Sequence, residues 1–303
     1  MKTQRIAKYD GIKGIAILGI TLIHCILWSG LWIPIQGFSV PVFNILLLGS
    51  YGVEVTFVLN GYLTGTQFLR QDSVSPIQFL RRSVSRILLP YYAALTIHLI
   101  LEWTITHRID KTPMSVLSNY LLFNGINPYW QNAFGLGYVG TITLAWLVYP
   151  PLMTLQRNLD YKKRILIAAA ISAISYGIVR LLWLHPPISD VQLFEEWSYF
   201  TLRAVYGYCV AAMVCAASEH LPSLLPYIKK GLIGCVAVLL VQICFFTVSH
   251  FLFTLAFGLY LLLVIDGRGK WLAHPILVFP GKHIFLIYLL QFTVYYLFRF
   301  LAL

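Results

Sequence analysis

Lys13 and His24 are eleven residues apart. On an α-helix that separation puts both on one face, within about 20° of each other and about 16 Å apart along the axis. A cation at the edge of an apolar run and an imidazole halfway along it could hold an anion at one end and move a proton at the other. A lone histidine on an apolar helix can equally be a hydrogen-bonded structural residue, and the residues alone leave both readings open. Glu54 stands deep in a second apolar run, within Gly52-Val53-Glu54-Val55, where a carboxylate needs a partner or a proton. A short connection makes the two runs antiparallel neighbours, so a His24–Glu54 pair is geometrically possible. Such a pair would either fix the imidazole tautomer for base chemistry or simply lock two helices together. Arg203 begins Arg203-Ala204-Val205-Tyr206-Gly207 early in another run and calls for an anionic ligand or a carboxylate partner. His98 and Glu102, one helical turn apart, read as a structural pair. Arg81, Arg82 and Arg86 form a basic strip before Pro90, either a head-group anchor or a phosphate site.

The elements that carry these residues follow from composition. The chain has 303 residues, of which 59% are hydrophobic and 11% charged, and its mean hydropathy is +0.76. A soluble domain carries roughly 25% charged residues, so most of the outer surface must face lipid. The 22 Lys and Arg outnumber the 11 Asp and Glu, giving a net charge of +11. These cations sit in short clusters between apolar runs, a pattern that orients membrane proteins and argues against nucleic-acid binding. Cys25, Cys209, Cys215, Cys235 and Cys244 lie in apolar stretches without a CxxC pair, which argues against disulfides and a metal site. The first apolar run continues past Trp32 without a small-residue cleavage site and reads as a retained span.

A helix needs about 20 mostly apolar residues to cross the hydrocarbon core. The runs Gly14–Ile33, Val42–Thr66, Ile87–Thr106, Phe134–Leu155, Ile165–Leu184, Trp197–Ala217, Gly231–Ser249, Phe251–Ile265 and His283–Leu303 meet or approach that length. They predict an all-α, polytopic transmembrane bundle of about nine or ten spans, in one domain covering residues 1–303. Basic residues (Lys2, Arg5, Lys8 and Lys13; Arg70 to Arg86; Arg157 to Arg164; Lys229 and Lys230; Arg268 and Lys270) mark every second connection, while the loop with Asp190, Glu195 and Glu196 is acidic. That alternation puts the N-terminus in the cytoplasm. A span across Met114–Trp130 would invert it. That segment, interrupted by Asn119, Asn124, Gly125, Asn127 and Pro128, reads instead as re-entrant or interfacial.

Tyr9-Asp10-Gly11-Ile12-Lys13-Gly14-Ile15-Ala16, running on to His24, resembles the opening of acyltransferase-3 membrane proteins, where a basic residue, ten intervening residues and a His form the signature. Gly52 to Leu63 resembles the second block of that family, and Phe79 through Arg81-Arg82 and Arg86 to Pro90-Tyr91 the third. Arg203 with Tyr206-Gly207, and Gly281-Lys282-His283 on to Gln291, resemble two later blocks. Each motif is weak alone, but together they keep the family's order over nearly the whole chain. The chain departs from the pattern at Asn60, where Ser is usual, and at Gln291, where His is usual. Between Gly137 and Pro151 only Tyr149-Pro150 remains of a Trp-Ser-Leu…Glu block. Gln291 argues against an essential base at that position, and the lost Glu suggests a divergent branch near those that modify exopolysaccharide or surface glycans.

The resemblance implies a membrane-bound O-acyltransferase of a bacterial inner membrane. It would take an acyl group, acetyl first among them, from cytoplasmic acyl-CoA and place it on a hydroxyl of a sugar, exopolysaccharide or lipid-linked glycan across the membrane. His24 would be the base or a transient acyl carrier, oriented by Glu54. Asn60 or a nearby backbone N–H would polarise the thioester carbonyl. Lys13, Arg81, Arg82 and Arg86 would hold the CoA phosphates, with Arg203 lining the path. The expected partners are membrane lipid, the acyl-CoA donor and a glycan acceptor, with no metal. The rival reading is a glycan or lipid transporter or flippase that uses the same buried His, Glu and Arg as a proton relay or head-group site. The lack of an internal repeat disfavours the duplicated transporter folds, and a non-catalytic scaffold is a third reading.

Overall fold

The computed structural model describes residues 6–28, 40–70, 75–109, 112–123, 137–184, 200–246 and 248–301. Every regular element among them is helical: α1 (Ala7–Trp28), α2 (Val40–Leu47), α3 (Gly52–Arg70), α4 (Pro76–Thr106), α5 (Pro113–Tyr120), α6 (Gly137–Leu155), α7 (Tyr161–Leu184), α8 (Phe200–Ser218), α9 (Leu221–Phe245), α10 (His250–Ile265), α11 (Pro275–Lys282) and α12 (Ile284–Leu301). Six stretches are long and apolar enough to cross a membrane by length and composition: Ala7–Ile26, Pro41–Leu69, Pro76–Thr106, Tyr138–Asn158, Thr201–Ser218 and Leu221–Phe245. His250–Ile265 is a shorter apolar helix. Each of the nine runs expected to span falls on a helix, and the chain is a polytopic helical membrane protein. The acidic loop with Asp190, Glu195 and Glu196 lies outside the described residues, as do Lys2, Arg5 and residues 124–136.

The second span begins earlier than the sequence suggests. A 3₁₀ turn, Leu48–Tyr51, joins α2 directly to α3, so the helical stretch starts at Val40. The strip with Arg81, Arg82 and Arg86 is helical as well. At 1.5 Å per residue, the 31 residues of α4 measure about 46 Å, well beyond a hydrocarbon core of about 30 Å. The surplus at its N-terminal end carries the three arginines, and Pro90 interrupts the hydrogen-bond ladder where the apolar part begins.

The segment expected to be re-entrant contains α5, whose 8 residues reach about 12 Å and cannot cross. Thr112 caps its start by accepting from the Ser115 amide at 3.2 Å. Tyr91 and Tyr92 of α4 donate to the carbonyls of Asn119 and Tyr120 at its end, each at 3.0 Å, satisfying groups that a helix terminus leaves bare.

Two close-packed contacts organise the bundle. In the first, α8 packs on α3, α6, α7 and α10 through small residues: Gly61 of α3 sits on Ala211 and Tyr208, and Gly207 of α8 sits on Phe57. In the second, α1 lies against α11 with backbone touching backbone. A Cβ at Gly14 would lie 1.8 Å from the Leu277 carbonyl oxygen, and one at Gly281 would lie 1.7 Å from that of Asp10. Small residues allow this approach where lipid supplies no hydrophobic drive between helices. Basic clusters that the alternation assigns to one side meet pairwise: Lys8 donates to the Gly267 and Arg268 carbonyls at 2.7 and 2.8 Å, and Arg157 Nε to the Phe68 carbonyl at 2.9 Å.

Gly14→Ala is therefore expected to destabilise the protein by about 3 kcal/mol or more, because the obstruction is backbone and cannot swing aside. Gly234, around which a Cβ would meet nothing within 4 Å, is the control. Gly234→Ala should be neutral or stabilising by up to about 1 kcal/mol. Thermal unfolding of both variants in detergent checks the pair.

Candidate active site

A cavity of about 480 Å³ opens where α1, α3, α4, α6, α11 and α12 meet. Helical periodicity decides which residues face it. On α3, Val53, Thr56, Asn60, Thr64 and Gln67 line the cavity. Glu54, Val58, Gly61 and Gly65 recur at four, three and four residues on the opposite face. On α4, Phe79, Ser83, Arg86 and Ile87 share the lining stripe. Arg82 lies to one side of that stripe and Arg81 behind it, and both are exposed. Of the three arginines expected to bind phosphate, Arg86 alone lines the cavity.

Lys13 lines it from α1 and Lys282 from the last residue of α11. The Gly14 and Gly281 contact brings these two cations to one end of the cavity, with Arg86 across from them. Sequence reasoning passed over Lys282, although it stands inside the Gly281-Lys282-His283 motif. The polar wall is tied together by hydroxyl and amide groups. Asn60 Nδ2 donates to Tyr138 Oη at 2.9 Å, the Tyr138 hydroxyl also bonds Thr56, and the Tyr138 and Tyr288 rings meet edge-on at 5.5 Å.

The expected His24–Glu54 pair does not form. Glu54, 0% exposed, is instead held by Arg203, which is 2% exposed. Arg203 Nε donates to Glu54 Oε1 at 2.8 Å and Nη2 donates to the same oxygen. His250 Nδ1 lies 3.0 Å from that oxygen and 3.2 Å from Arg203 Nη2. The His250 ring stacks on Tyr51 with centroids 4.1 Å apart. Arg203 thus has a carboxylate partner and does not line the cavity, which corrects its expected role on the donor path. His250 was missed because it falls between two apolar runs and reads as a boundary. Its one signal is Ser249, whose Oγ caps α10 by accepting from the Leu252 amide.

Depth explains the failed pairing. Glu54 lies two residues beyond Gly52, which packs on Ala16 and Ile20, so it is level with about residue 16 of α1 and about 12 Å from His24 along the axis. The two helices run antiparallel, with Gly52 against Ala16 and Ile20, and the Tyr9 and Tyr62 rings 6.0 Å apart. Asn60 is therefore level with about residue 11 of α1, some 20 Å from His24 along the axis. It cannot polarise a carbonyl that His24 attends, which corrects the expected pairing of those roles. His24 itself continues the Lys13, Ile17 and Ile20 stripe, one turn past the cavity's innermost α1 residue. There it hydrogen-bonds the side chain of Gln291 on α12.

Fold and site together define a polytopic membrane protein with a cation-lipped cavity that leads, along two helix stripes, toward a half-buried histidine. The chain belongs to the acyltransferase-3 family, whose profile, described as "Acyltransferase domain", matches residues 6–302. It is 27% identical over 153 residues to a Komagataeibacter xylinus protein named as a candidate membrane-bound transacylase, BcsY. That alignment covers 50% of this chain and 33% of the relative, so the match spans only a third of the relative's length. No solved structure matches the chain.

Removing one partner of the buried ion pair leaves an uncompensated charge. Arg203→Met should cost about 3–5 kcal/mol of stability, and adding Glu54→Gln should recover much of it. CoA affinity of the folded fraction should not change in either variant. Thermal unfolding with and without CoA separates this structural role from a donor-binding one.

Proposed function

We propose that the protein transfers an acyl group from cytoplasmic acyl-CoA to a hydroxyl of a sugar, exopolysaccharide or lipid-linked glycan presented from the other side of the membrane. The observation that carries this reading is the convergence of Lys13, Arg86 and Lys282 on one cavity whose α1 stripe runs on to His24. Three cations at one end suit the phosphates of CoA through charge-assisted hydrogen bonds. The run of about 16 Å from Lys13 to His24 suits the pantetheine arm between phosphate and thioester. Family membership supports acyl transfer as the class of chemistry.

In this mechanism His24 takes the proton of the acceptor hydroxyl as its oxygen attacks the thioester carbon. The carbonyl π pair moves onto oxygen, giving a tetrahedral oxyanion. Collapse reforms the carbonyl, breaks the carbon–sulfur bond and expels the CoA thiolate, which receives the proton from His24. The acyl group is acetyl. The innermost cavity residues, Ile20 and Tyr288, leave about one helical turn before His24, which suits a short acyl group. The site belongs in a bacterial inner membrane with the basic end in the cytoplasm, as the distribution of Lys and Arg supports.

His24→Ala is expected to lower kcat by about 10²–10⁴-fold with little change in melting temperature. Retention of a tenth of native activity would overturn the base assignment. Arg86→Gln and Lys282→Gln should each raise the KM for acetyl-CoA several-fold, whereas Arg81→Gln, behind the lining stripe, should not. Equal KM values across the three variants would make the arginine strip a lipid anchor only. Radiolabelled acetyl transfer by purified protein in nanodiscs, with membrane glycan extract as acceptor, measures all four.

A further inference from the structure

We infer that Gln291 is a catalytic residue, its side-chain carbonyl orienting His24 and its amide N–H groups donating to the oxygen that becomes negative during acyl transfer. This rests on the acyl-transfer reading of the site and deepens it. The assignment to His24 and Asn60 leaves the oxyanion without a donor, because Asn60 lies some 20 Å below His24, with its amide turned to Tyr138. A donor must therefore come from another element near His24.

Gln291 stands where that donor is needed. On α12 the residues Ile284, Tyr288 and Gln291 recur at four and three, so Gln291 extends the stripe along which Ile284 and Tyr288 line the cavity. On α1, His24 extends the stripe of Lys13, Ile17 and Ile20 in the same way. The two helices pack together, and their stripes converge just past the cavity's inner end. Thr21 Oγ1 donates to Gln291 Oε1 at 3.4 Å, and the His24 ring bonds the same side chain. The carbonyl end of the amide is thereby occupied. Gln291 is 4% exposed, and its Nε2 has no hydrogen-bond partner among the described residues. A buried amide nitrogen costs free energy when it donates to nothing, and an acyl oxygen entering from the cavity would satisfy it. Glutamine cannot serve as a base, but the position asks for a donor.

Two variants test this in the full chain in nanodiscs, with radiolabelled acetyl-CoA as donor, membrane glycan extract as acceptor and CoA release read with a thiol reagent. Gln291→Leu should lower kcat by about 10²–10³-fold, the cost of one oxyanion donor. The KM for acetyl-CoA should stay within about twofold, since Lys13, Arg86 and Lys282 are untouched. Gln291→Glu keeps the length and the acceptor oxygens facing Thr21 and His24, but removes the N–H donors and adds a charge beside the forming oxyanion. It should be as slow as Gln291→Leu. If Gln291 only positioned His24, Gln291→Glu would retain activity and move the pH profile upward, because a carboxylate stabilises the imidazolium. That result, or Gln291→Leu within threefold of native kcat, overturns the inference. A loss of activity that merely tracks loss of folded protein in both variants also overturns it. His24→Ala separates the two levels. Full activity in that variant removes the acyl-transfer reading of the site, whereas an inactive His24→Ala beside an active Gln291→Leu removes this inference alone.

Discussion

The arrangement of the bundle depends on a carboxylate that water does not reach. An ionised Glu54 within a span is tolerable only against an opposite charge, since desolvation of a lone carboxylate costs far more than any helix contact returns. Arg203 supplies that charge and His250 closes the cluster, so three helices, α3, α8 and α10, are joined at one point. The consequence reaches the cavity through the geometry of α3. With Glu54, Val58, Gly61 and Gly65 turned to α8, periodicity leaves Thr56, Asn60 and Gln67 no direction but the cavity. A residue outside the cavity lining thus fixes the rotation of the helix that builds one wall of the site.

The second organising contact closes the chain on itself. Gly11 and Gly14 near the N-terminus and Gly281 near the C-terminus are places where another element's backbone occupies the space of a side chain. Two motifs more than 260 residues apart are therefore two halves of one contact. Lys13 precedes Gly14 and Lys282 follows Gly281, and the contact delivers both lysines to the same lip. Two cations side by side repel. On the proposed function an anion comes between them, and the exposed lip leaves Lys282 hydrated until one does.

Much of this was legible in the sequence, and the limits have a physical form. Properties local to one helix came through: the helical class, the shared face of Lys13 and His24, and the need of Arg203 for a carboxylate or an anion. Properties that depend on the register between helices did not. Glu54 reads as level with His24 because both stand near the middle of their runs, but the packing of Gly52 on Ala16 and Ile20 sets Glu54 about 12 Å, two helical turns, short of it. The same register puts Asn60 at the level of the basic end. Arg81 and Arg82 were grouped with Arg86 by adjacency, whereas a helix of 3.6 residues per turn points the three in different directions. His250 left almost no trace, being one polar residue at a junction. Gln291 reads from the sequence only as the absence of a base, since its contacts with Thr21 and His24 depend on how α12 lies against α1.

The relative directions of the helices also constrain what can use the site. α1 and α12 run the same way, so the stripes ending at His24 and Gln291 advance together from the basic lip, while α3 runs against them and keeps its polar residues near that lip. Between the ends, α1 and α12 contribute Ile17, Ile20, Ile284, Phe285 and Tyr288 to the lining, none of which carries a charge. A compact ion would stop among Lys13, Arg86 and Lys282, and a wholly apolar molecule would gain nothing from them. A molecule that engages both ends must carry its negative charge at one terminus, be slender and uncharged through the middle, and bear its polar reacting group at the far tip. The need for that separation is set by the 16 Å of α1 between its lysine and its histidine, about half the thickness of the hydrocarbon core. On the proposed function, an acyl group delivered there would lie about halfway across the hydrocarbon core, and the acceptor hydroxyl would approach from the side away from the basic lip.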